Sequence, residues 1–282
     1  GRWSGSGVQP HNFVRGSIKD MDGLWANLKA GLPVLRKDGV AIDLMVALSE
    51  GLRGAIVAAE GKSLFVADYA AIEARVVMWL AGEKEALNIF RTGADIYLDM
   101  ASDIYGYPCN KKDHSAERQI GKIAILGLGY QMGASKFQAT CEKGGSIIDE
   151  EFAQSVVSAF REKYWRVKQM WWDQEDAAIS AVLSNRPVTC GYVSWVPEGS
   201  FLYCVLPSGR RIAYPFPEIR PRSTPWGAVK NSLTFMGIHP LSRKWVRQTT
   251  YGGSLVENIT QSVARDVMAE AMLRCELSGY PV

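Results

Sequence analysis

Leu64-Phe65-Val66-Ala67-Asp68-Tyr69-Ala70-Ala71-Ile72-Glu73-Ala74-Arg75 is the segment that decides how the rest of the chain is read. Its apolar run, Leu64 to Ala67, has the length and the β-branched and aromatic content of a buried strand. The run ends on a carboxylate, Asp68. From Ala70 the period changes: Ile72, Val76, Trp79 and Leu80 fall at the three- and four-residue spacings of a packed helix. A strand that stops at an acid and turns into a helix sets that acid at the rim of a sheet, facing a cleft. Hard cations such as magnesium take oxygen ligands, and few of them from protein. Taken alone, the segment favours a plainer role for Asp68, the N-cap of the following helix.

Composition bounds the remainder. The 282 residues are 47% hydrophobic, which makes a globular chain of one or two domains with a sizeable core. A net charge of +3 does not by itself argue for a polyanionic partner, although the basic residues are locally clustered. The cysteines (Cys109, Cys141, Cys190, Cys204, Cys275) are odd in number and include no CxxC pair. Neither zinc nor a disulfide framework suits them, and a reducing compartment does. His11, His114 and His239 lie too far apart in sequence for a histidine metal cluster. No apolar run approaches transmembrane length and no signal sequence is present, so no membrane is expected among the partners. The chain opens on Gly1 and stops after Ser278-Gly279-Tyr280-Pro281-Val282, where a strand could begin. Both ends look cut, and a piece of a longer protein is expected.

Outward from the opening segment, Gly1 to Arg15 reads as extended chain. Ile18 to Leu52 holds two helices separated by Gly31 and Pro33. Ala55–Val57 and Leu64–Ala67 would be strands flanking a turn at Glu60-Gly61-Lys62. Helices follow over Glu83–Arg91, ended by Gly93, and Ile96–Ile104, closed by Tyr105-Gly106-Tyr107-Pro108. A longer helix starts at Asp113 or Ser115 and runs through Tyr130. Another runs from Asp149 to about Leu183, with a break near Tyr164-Trp165. Arg186 to Pro217 is β-rich, with Pro207-Ser208-Gly209 as a hairpin turn. Pro217 to Ser242 lacks periodicity and reads as an inserted loop region. Gly253 to Leu277 is a strong helix, apolar along Leu255, Val256, Ile259, Val263, Val267, Met268 and Met272.

On the helix after Asp113, Arg118, Lys122, Leu126 and Tyr130 recur every four residues. They form one stripe that drifts by about 40° per step. Two cations one turn apart can grip a polyphosphate, and an aromatic further along could stack on a base. A solvated basic face running into a buried one is an equally good account of the spacing. Gly121, Gly127 and Gly129 lie in the same helix at a cost of roughly 1 kcal/mol each against Ala. Something is therefore expected to approach that helix closely, which favours a ligand.

These motifs together resemble family A DNA polymerases, the DNA polymerase I family, and most of all its bacteriophage members. Asp68-Tyr69-Ala70-Ala71-Ile72-Glu73-Ala74-Arg75 is similar to the first palm motif, DYSxIExR. Arg118-Gln119-Ile120-Gly121-Lys122 with Leu126 and Tyr130 resembles the fingers-helix motif, RxxxKxxxFxxxYG. Gly1-Arg2-Trp3-Ser4-Gly5 with Gln9-Pro10-His11-Asn12 resembles the TGRxSS…QN segment before the palm. Gln261 in Glu257-Asn258-Ile259-Thr260-Gln261-Ser262 resembles the glutamine of the helix leading to the last palm motif. The four come in family order over nearly the whole chain.

The resemblance implies a role for each. Asp68 would be a ligand of two magnesium ions, touched also by the Tyr69 backbone carbonyl. Those ions activate the primer 3′-hydroxyl and clamp the leaving pyrophosphate. Glu73 would be the steric gate against ribonucleotides and could hold Tyr130. Arg118 and Lys122 would bind the triphosphate, with Lys122 donating a proton to the leaving group. Leu126 would meet the incoming nucleotide, Tyr130 would sit at the templating position, and Arg2 and Gln261 would read minor-groove acceptors common to all base pairs. The partners implied are primer-template DNA and dNTPs. Arg161 to Trp172 would line the template side or form a mixed helix surface.

Departures are also visible. Leu126 replaces the usual ring, Ala70 and Ala71 replace Ser and a polar residue, and Gln131 replaces the Gly after the tyrosine, which bears on fingers movement. The His-Asp-Glu motif that supplies the second metal-binding Asp would follow Val282. Thumb and any exonuclease region would precede Gly1. Asp43 and Asp266 have no spacing that makes them substitutes. The expectation is an α+β, right-hand polymerase fold with an incomplete palm sheet: palm 1–76, mostly helical fingers 77–245, palm 246–282. The function expected is template-directed DNA synthesis in phage replication, with this piece inactive alone. The rivals are a single-subunit RNA polymerase, which needs open the space Glu73 would close, and a non-catalytic nucleic-acid-binding module.

Overall fold

The computed structural model describes residues 7, 9–14, 16, 18, 20–35, 39–223, 227 and 229–282. Two aspartates start the first helices. Asp20 accepts from the Gly23 N–H ahead of α1 (Met21–Lys29), and Asp43 accepts from the Met45 and Val46 N–H groups ahead of α2 (Leu44–Gly51). Leu24, Val34, Ile42 and Ala47 make a small core there. These elements belong to the smaller of two compact units, Trp3–Tyr69; the larger takes in Ala70–Val282.

Within the smaller unit the turn at Glu60-Gly61 forms, closed by the Lys62 N–H on the Ala59 carbonyl at 3.0 Å. The strands expected beside it do not. Ala55–Val57 and Leu64–Ala67 are irregular, and Phe65 and Val66 are 81% and 94% exposed. A strand holds only when a neighbour satisfies its backbone N–H and C=O groups. Neither segment joins a sheet among the described residues.

The larger unit opens with seven helices among the described residues: α3 (Ile72–Ala81), α4 (Lys84–Arg91), α5 (Ile96–Tyr105), α6 (Ser115–Leu128), α7 (Ala134–Lys143), α8 (Glu150–Lys163) and α9 (Trp165–Ser184). They bury Val77, Met78, Met100, Ile125, Phe137, Phe160 and Trp171 in one core. α7 is invisible to apolar spacing because only Phe137 and Cys141 are buried on it. The break at Tyr164 is real, and Glu83 holds it. Glu83 is buried, and its Oε1 accepts from the Arg166 and Val167 N–H groups at 2.9 and 3.3 Å, capping α9 from another element.

Beyond α9 lies an antiparallel meander, β1 (Val188–Cys190), β2 (Val193–Glu198), β3 (Phe201–Val205) and β4 (Arg211–Pro215), in sequential order. Trp195, Leu202, Cys204 and Tyr214 pack with α9 and with α10 (Gly252–Leu277) in a second core. The Trp195 indole donates to Gln174 at 2.9 Å. The Pro207-Ser208-Gly209 turn joins β3 to β4, and Ser208 and Arg210 both bond Asp266 of α10, at 2.6 and 2.7 Å. Asp43 and Asp266 are thus a helix cap and a hairpin anchor.

The stretch expected to be an inserted loop, 217–242, contains most of a second sheet: β5 (Glu218–Ser223), β6 (Val229–Ile238) and β7 (Trp245–Thr249), antiparallel in that order. Its sequence hid this. β5 is an edge strand that carries Pro221, which interior strands exclude, and β6 buries Ser232, Leu233 and Thr234 in succession, which erases the two-residue period. The architecture is α+β, as expected. No described helix is long and apolar enough to cross a membrane.

Candidate functional site

In the smaller unit, Asp68 and Tyr69 are exposed, and Asp68 makes no hydrogen bond or ion pair among the described residues. It does not cap the following helix. The N-cap of α3 is Ala71, which offers no side-chain bond and holds φ 53°, ψ 41°. A residue with a Cβ pays about 1–2 kcal/mol for that left-handed conformation. Arg75 secures the turn. Its Nε donates to the Ala70 carbonyl at 2.9 Å, and its guanidinium lies 4.4 Å from the centre of the Phe90 ring. Sequence reasoning quoted Arg75 without giving it a task; the structure makes it the brace of this turn. Glu73 stands half-buried in the first turn of α3.

α6 carries Arg118, Lys122 and Leu126 one turn apart, as the spacing predicts. Arg118 is fixed by a residue that sequence reasoning missed. Asp95 caps α5 with Oδ1, accepting from Tyr97 and Leu98, while its Oδ2 accepts from Arg118 Nε at 2.8 Å. The guanidinium carbon also sits 5.2 Å from the Tyr97 ring centre. Among the described residues only Nε is engaged, so the terminal nitrogens keep their fork for another acceptor. Lys122, half-buried, has no carboxylate partner among them. The N-cap signature of Asp95 was legible, but its second bond spans 23 residues and was not. Burial raises the pKa of the Tyr97 phenol, an effect opposed by the Arg118 charge.

Tyr130 falls off the stripe. α6 ends at Leu128, and Tyr130 packs half-buried against the helical core in the turn beyond. The glycines of α6 also serve another purpose than the one expected. A Cβ on Gly121 would stand 2.2 Å from the Tyr97 carbonyl oxygen, and one on Gly127 would stand 2.8 Å from the Met132 side chain. What approaches the helix is α5 and the turn after α6. Gly129 is the C-cap, and its carbonyl accepts from the Trp171 indole at 2.8 Å.

That turn is bound to α10. Gln131 is left-handed at φ 66°, and its Oε1 accepts from the Gly253 N–H at 3.0 Å. The Gly252 N–H donates to Glu175 at 3.2 Å. Cβ atoms on Gly252 and Gly253 would lie 2.1 Å from the Trp171 carbonyl oxygen and 2.4 Å from that of Tyr130. Two orphan N–H groups of the α10 N-terminus are thereby satisfied from α9 and from the turn after α6. Further along α10, Gln261 donates to Glu257 at 3.3 Å. Arg2 lies outside the described residues.

Among the described residues no three His, Cys, Asp or Glu side chains are placed together to hold a metal ion. Asp68 offers an exposed carboxylate without a partner among the described residues, next to the Tyr69 carbonyl. That donor set suits a hard cation that keeps most of its ligands as water and phosphate oxygens.

Residues 40–184 match the model of DNA polymerase family A. The chain is 37% identical over 287 residues to a DNA polymerase of Bacillus phage SP02, covering 99% of this chain and 43% of that protein. A DNA polymerase of Mycobacterium phage D29 is 30% identical over 280 residues, covering 99% of this chain and 36% of its own length. The chain therefore spans less than half the length of these relatives. A solved structure of the POL domain of Pol1 from M. smegmatis, in complex with DNA primer-template and dNTP, is 20% identical and covers 64% of this chain and 27% of that one. Its TM-score of 0.40 is too low to bear on the fold.

Proposed function

Because the chain belongs to DNA polymerase family A, we propose that it carries the nucleotide-binding part of a phage-type, template-directed DNA polymerase working in the host cytoplasm. Its substrates are dNTPs and primer-template DNA. The observation that carries this is the α6 stripe: Arg118, oriented by Asp95 through Nε, and Lys122 one turn away, without a carboxylate partner among the described residues. A triphosphate takes the Arg118 fork and the Lys122 ammonium. As the primer 3′-hydroxyl gives its proton to solvent and its oxygen bonds the α-phosphorus, the bond from that phosphorus to the pyrophosphate oxygen breaks, and Lys122 protonates the leaving group.

Asp68 and the Tyr69 carbonyl would hold magnesium, which would lower the pKa of the 3′-hydroxyl and neutralise charge on the pyrophosphate. Glu73 closes the space beside C2′, which separates this reading from a single-subunit RNA polymerase. Leu126 gives the incoming nucleotide an apolar surface, Tyr130 stands at the templating position, and Arg2 and Gln261 contact minor-groove acceptors shared by all base pairs. In this reading residues 1–76 and 246–282 are palm and 77–245 fingers. The second carboxylate, the thumb and any exonuclease region belong to polypeptide outside these 282 residues.

The test uses a polypeptide of the relatives' full length that carries this sequence. Lys122→Ala should lower kcat by about 10²–10⁴-fold. Arg118→Ala should raise KM for dNTP, and Glu73→Ala should admit ribonucleotides. Wild-type turnover in the Lys122 variant, or continued exclusion of ribonucleotides by the Glu73 variant, contradicts the assignment.

A further inference from the structure

Gln131 stands in the turn beyond α6, where the fingers-helix motif has Gly. Its backbone keeps the left-handed conformation that glycine adopts freely, at φ 66°. The side chain is what a glycine would lack. Its Oε1 accepts at 3.0 Å from the N–H of Gly253, a buried residue in the first turn of α10 and 122 residues further along the chain. Two more bonds hold the same end of α6. The Gly129 carbonyl accepts from the Trp171 indole of α9 at 2.8 Å, and the Met132 carbonyl accepts from Arg161 Nη2 of α8 at 3.4 Å. Of these three bonds, the one to α10 comes from Gln131.

The other end of α6 belongs with α5. Asp95 accepts from Arg118 Nε at 2.8 Å, and Gly121 lies so near α5 that a Cβ on it would stand 2.2 Å from the Tyr97 carbonyl oxygen. Arg118 and Lys122 are therefore carried by α5 and α6 as one body. A triphosphate held by the two cations travels with that body, so its affinity depends little on where the body lies. α10 carries Gln261, eight residues and about 12 Å beyond Gly253, and in the reading above Gln261 meets the primer-template. Gln131 thus ties the helix that holds the nucleotide to the helix that holds the primer end. Lys122 lies nine residues before Gln131, about 13 Å at 1.5 Å per residue. At that reach a turn of about 5° displaces the nucleotide by about 1 Å, a shift that can cost on the order of a hundredfold in rate.

We propose that Gln131 is a positioning residue for nucleotidyl transfer. It acts through Arg118 and Lys122, keeping the nucleotide they carry in line with the primer end set by α10. The role rests on the polymerase reading; the bond between Gln131 and Gly253 does not.

The experiment is single-turnover incorporation over a series of dNTP concentrations by a polypeptide of the relatives' full length, which separates the maximal rate from nucleotide affinity. Urea midpoints are measured on the same proteins. Gln131→Ala and Gln131→Gly both remove the acceptor and should each lower the maximal rate by at least about tenfold, with nucleotide and primer-template affinities within about twofold of wild type. Gln131→Glu keeps an acceptor and should hold the wild-type rate. The glycine variant separates positioning from stability, because it relieves the left-handed strain without restoring the bond. A rate that recovers in the glycine variant together with the urea midpoint, a loss of nucleotide affinity at unchanged maximal rate, or a glutamate variant as slow as the alanine one would each overturn the proposal. Equal rates in all the Gln131 variants and wild type, beside a slow Lys122→Ala, would overturn this role alone. A wild type that incorporates nothing would overturn the polymerase reading and this role with it.

Discussion

Gln131 is where a local rule is broken for a tertiary gain, and its substitution separates the two. Its left-handed φ of 66° costs a residue with a Cβ about 1–2 kcal/mol. In return its Oε1 satisfies the N–H of Gly253, which is buried at the start of α10. Both Gln131→Ala and Gln131→Gly remove that acceptor and leave the N–H unpaired, at about 1–3 kcal/mol. Alanine keeps the backbone strain. Glycine relieves it, less about 0.4–1 kcal/mol for a freer unfolded chain. The alanine variant should therefore be the less stable of the two by roughly 1 kcal/mol, whatever the lost bond is worth. Gln131→Glu keeps an acceptor and sets a negative charge at a helix N-terminus, so it should hold wild-type stability. Urea unfolding followed by tryptophan fluorescence reads this as shifts of midpoint at constant slope. Equal stability of the wild type and the alanine variant would remove the capping role, and a glycine variant weaker than the alanine one would remove the strain.

Gly121→Ala should destabilise by about 1–3 kcal/mol, since its Cβ would meet a backbone oxygen of α5 at 2.2 Å; a gain from better helix propensity in the same urea assay would show that α5 and α6 part freely. Tyr164 has a buried hydroxyl without a partner among the described residues, and burial pushes its pKa far up. Tyr164→Phe should then raise stability by about 1 kcal/mol, and a loss in thermal unfolding would reveal a bond to that hydroxyl. Burial pushes the Asp266 carboxyl up, but its bonds with Ser208 and Arg210 and the Arg210 charge hold it below the ordinary range. A depressed folded pKa contributes stability above about pH 4 that is lost as pH falls through the folded value. The melting-temperature gap between wild type and Asp266→Asn should accordingly be full at pH 7 and close below about pH 4; a gap independent of pH would show that the ionised form is not what pins the hairpin.

All the helices but α7 were legible because each carries its own signal. Asp20, Asp43, Asp95 and Asp149 cap four of them, and apolar residues at helical spacing mark the buried side of α10. Strands are a property of pairs, and the sequence around Leu64 says nothing about whether a partner is at hand. β5–β7 escaped because Pro221 and the buried run at Ser232 break the alternation. Arg118 and Lys122 stood out by spacing, but their task came from resemblance, and Asp95, which aims Arg118, becomes visible only once α5 and α6 are packed. The glycines of α6 misled for a related reason: the demand for close approach was read correctly and its source was not, since the approaching group is the chain's own backbone.

Asp68 is the residue on which the catalytic account stands, and single-turnover incorporation of one dNTP into a primer-template measures it most directly. In a polypeptide of the relatives' full length, Asp68→Asn should slow incorporation by at least about 10²–10³-fold, the scale on which charge stabilisation of a transition state is lost, while primer-template affinity stays near wild type. Incorporation within tenfold of wild type would contradict the assignment of Asp68 to the reaction.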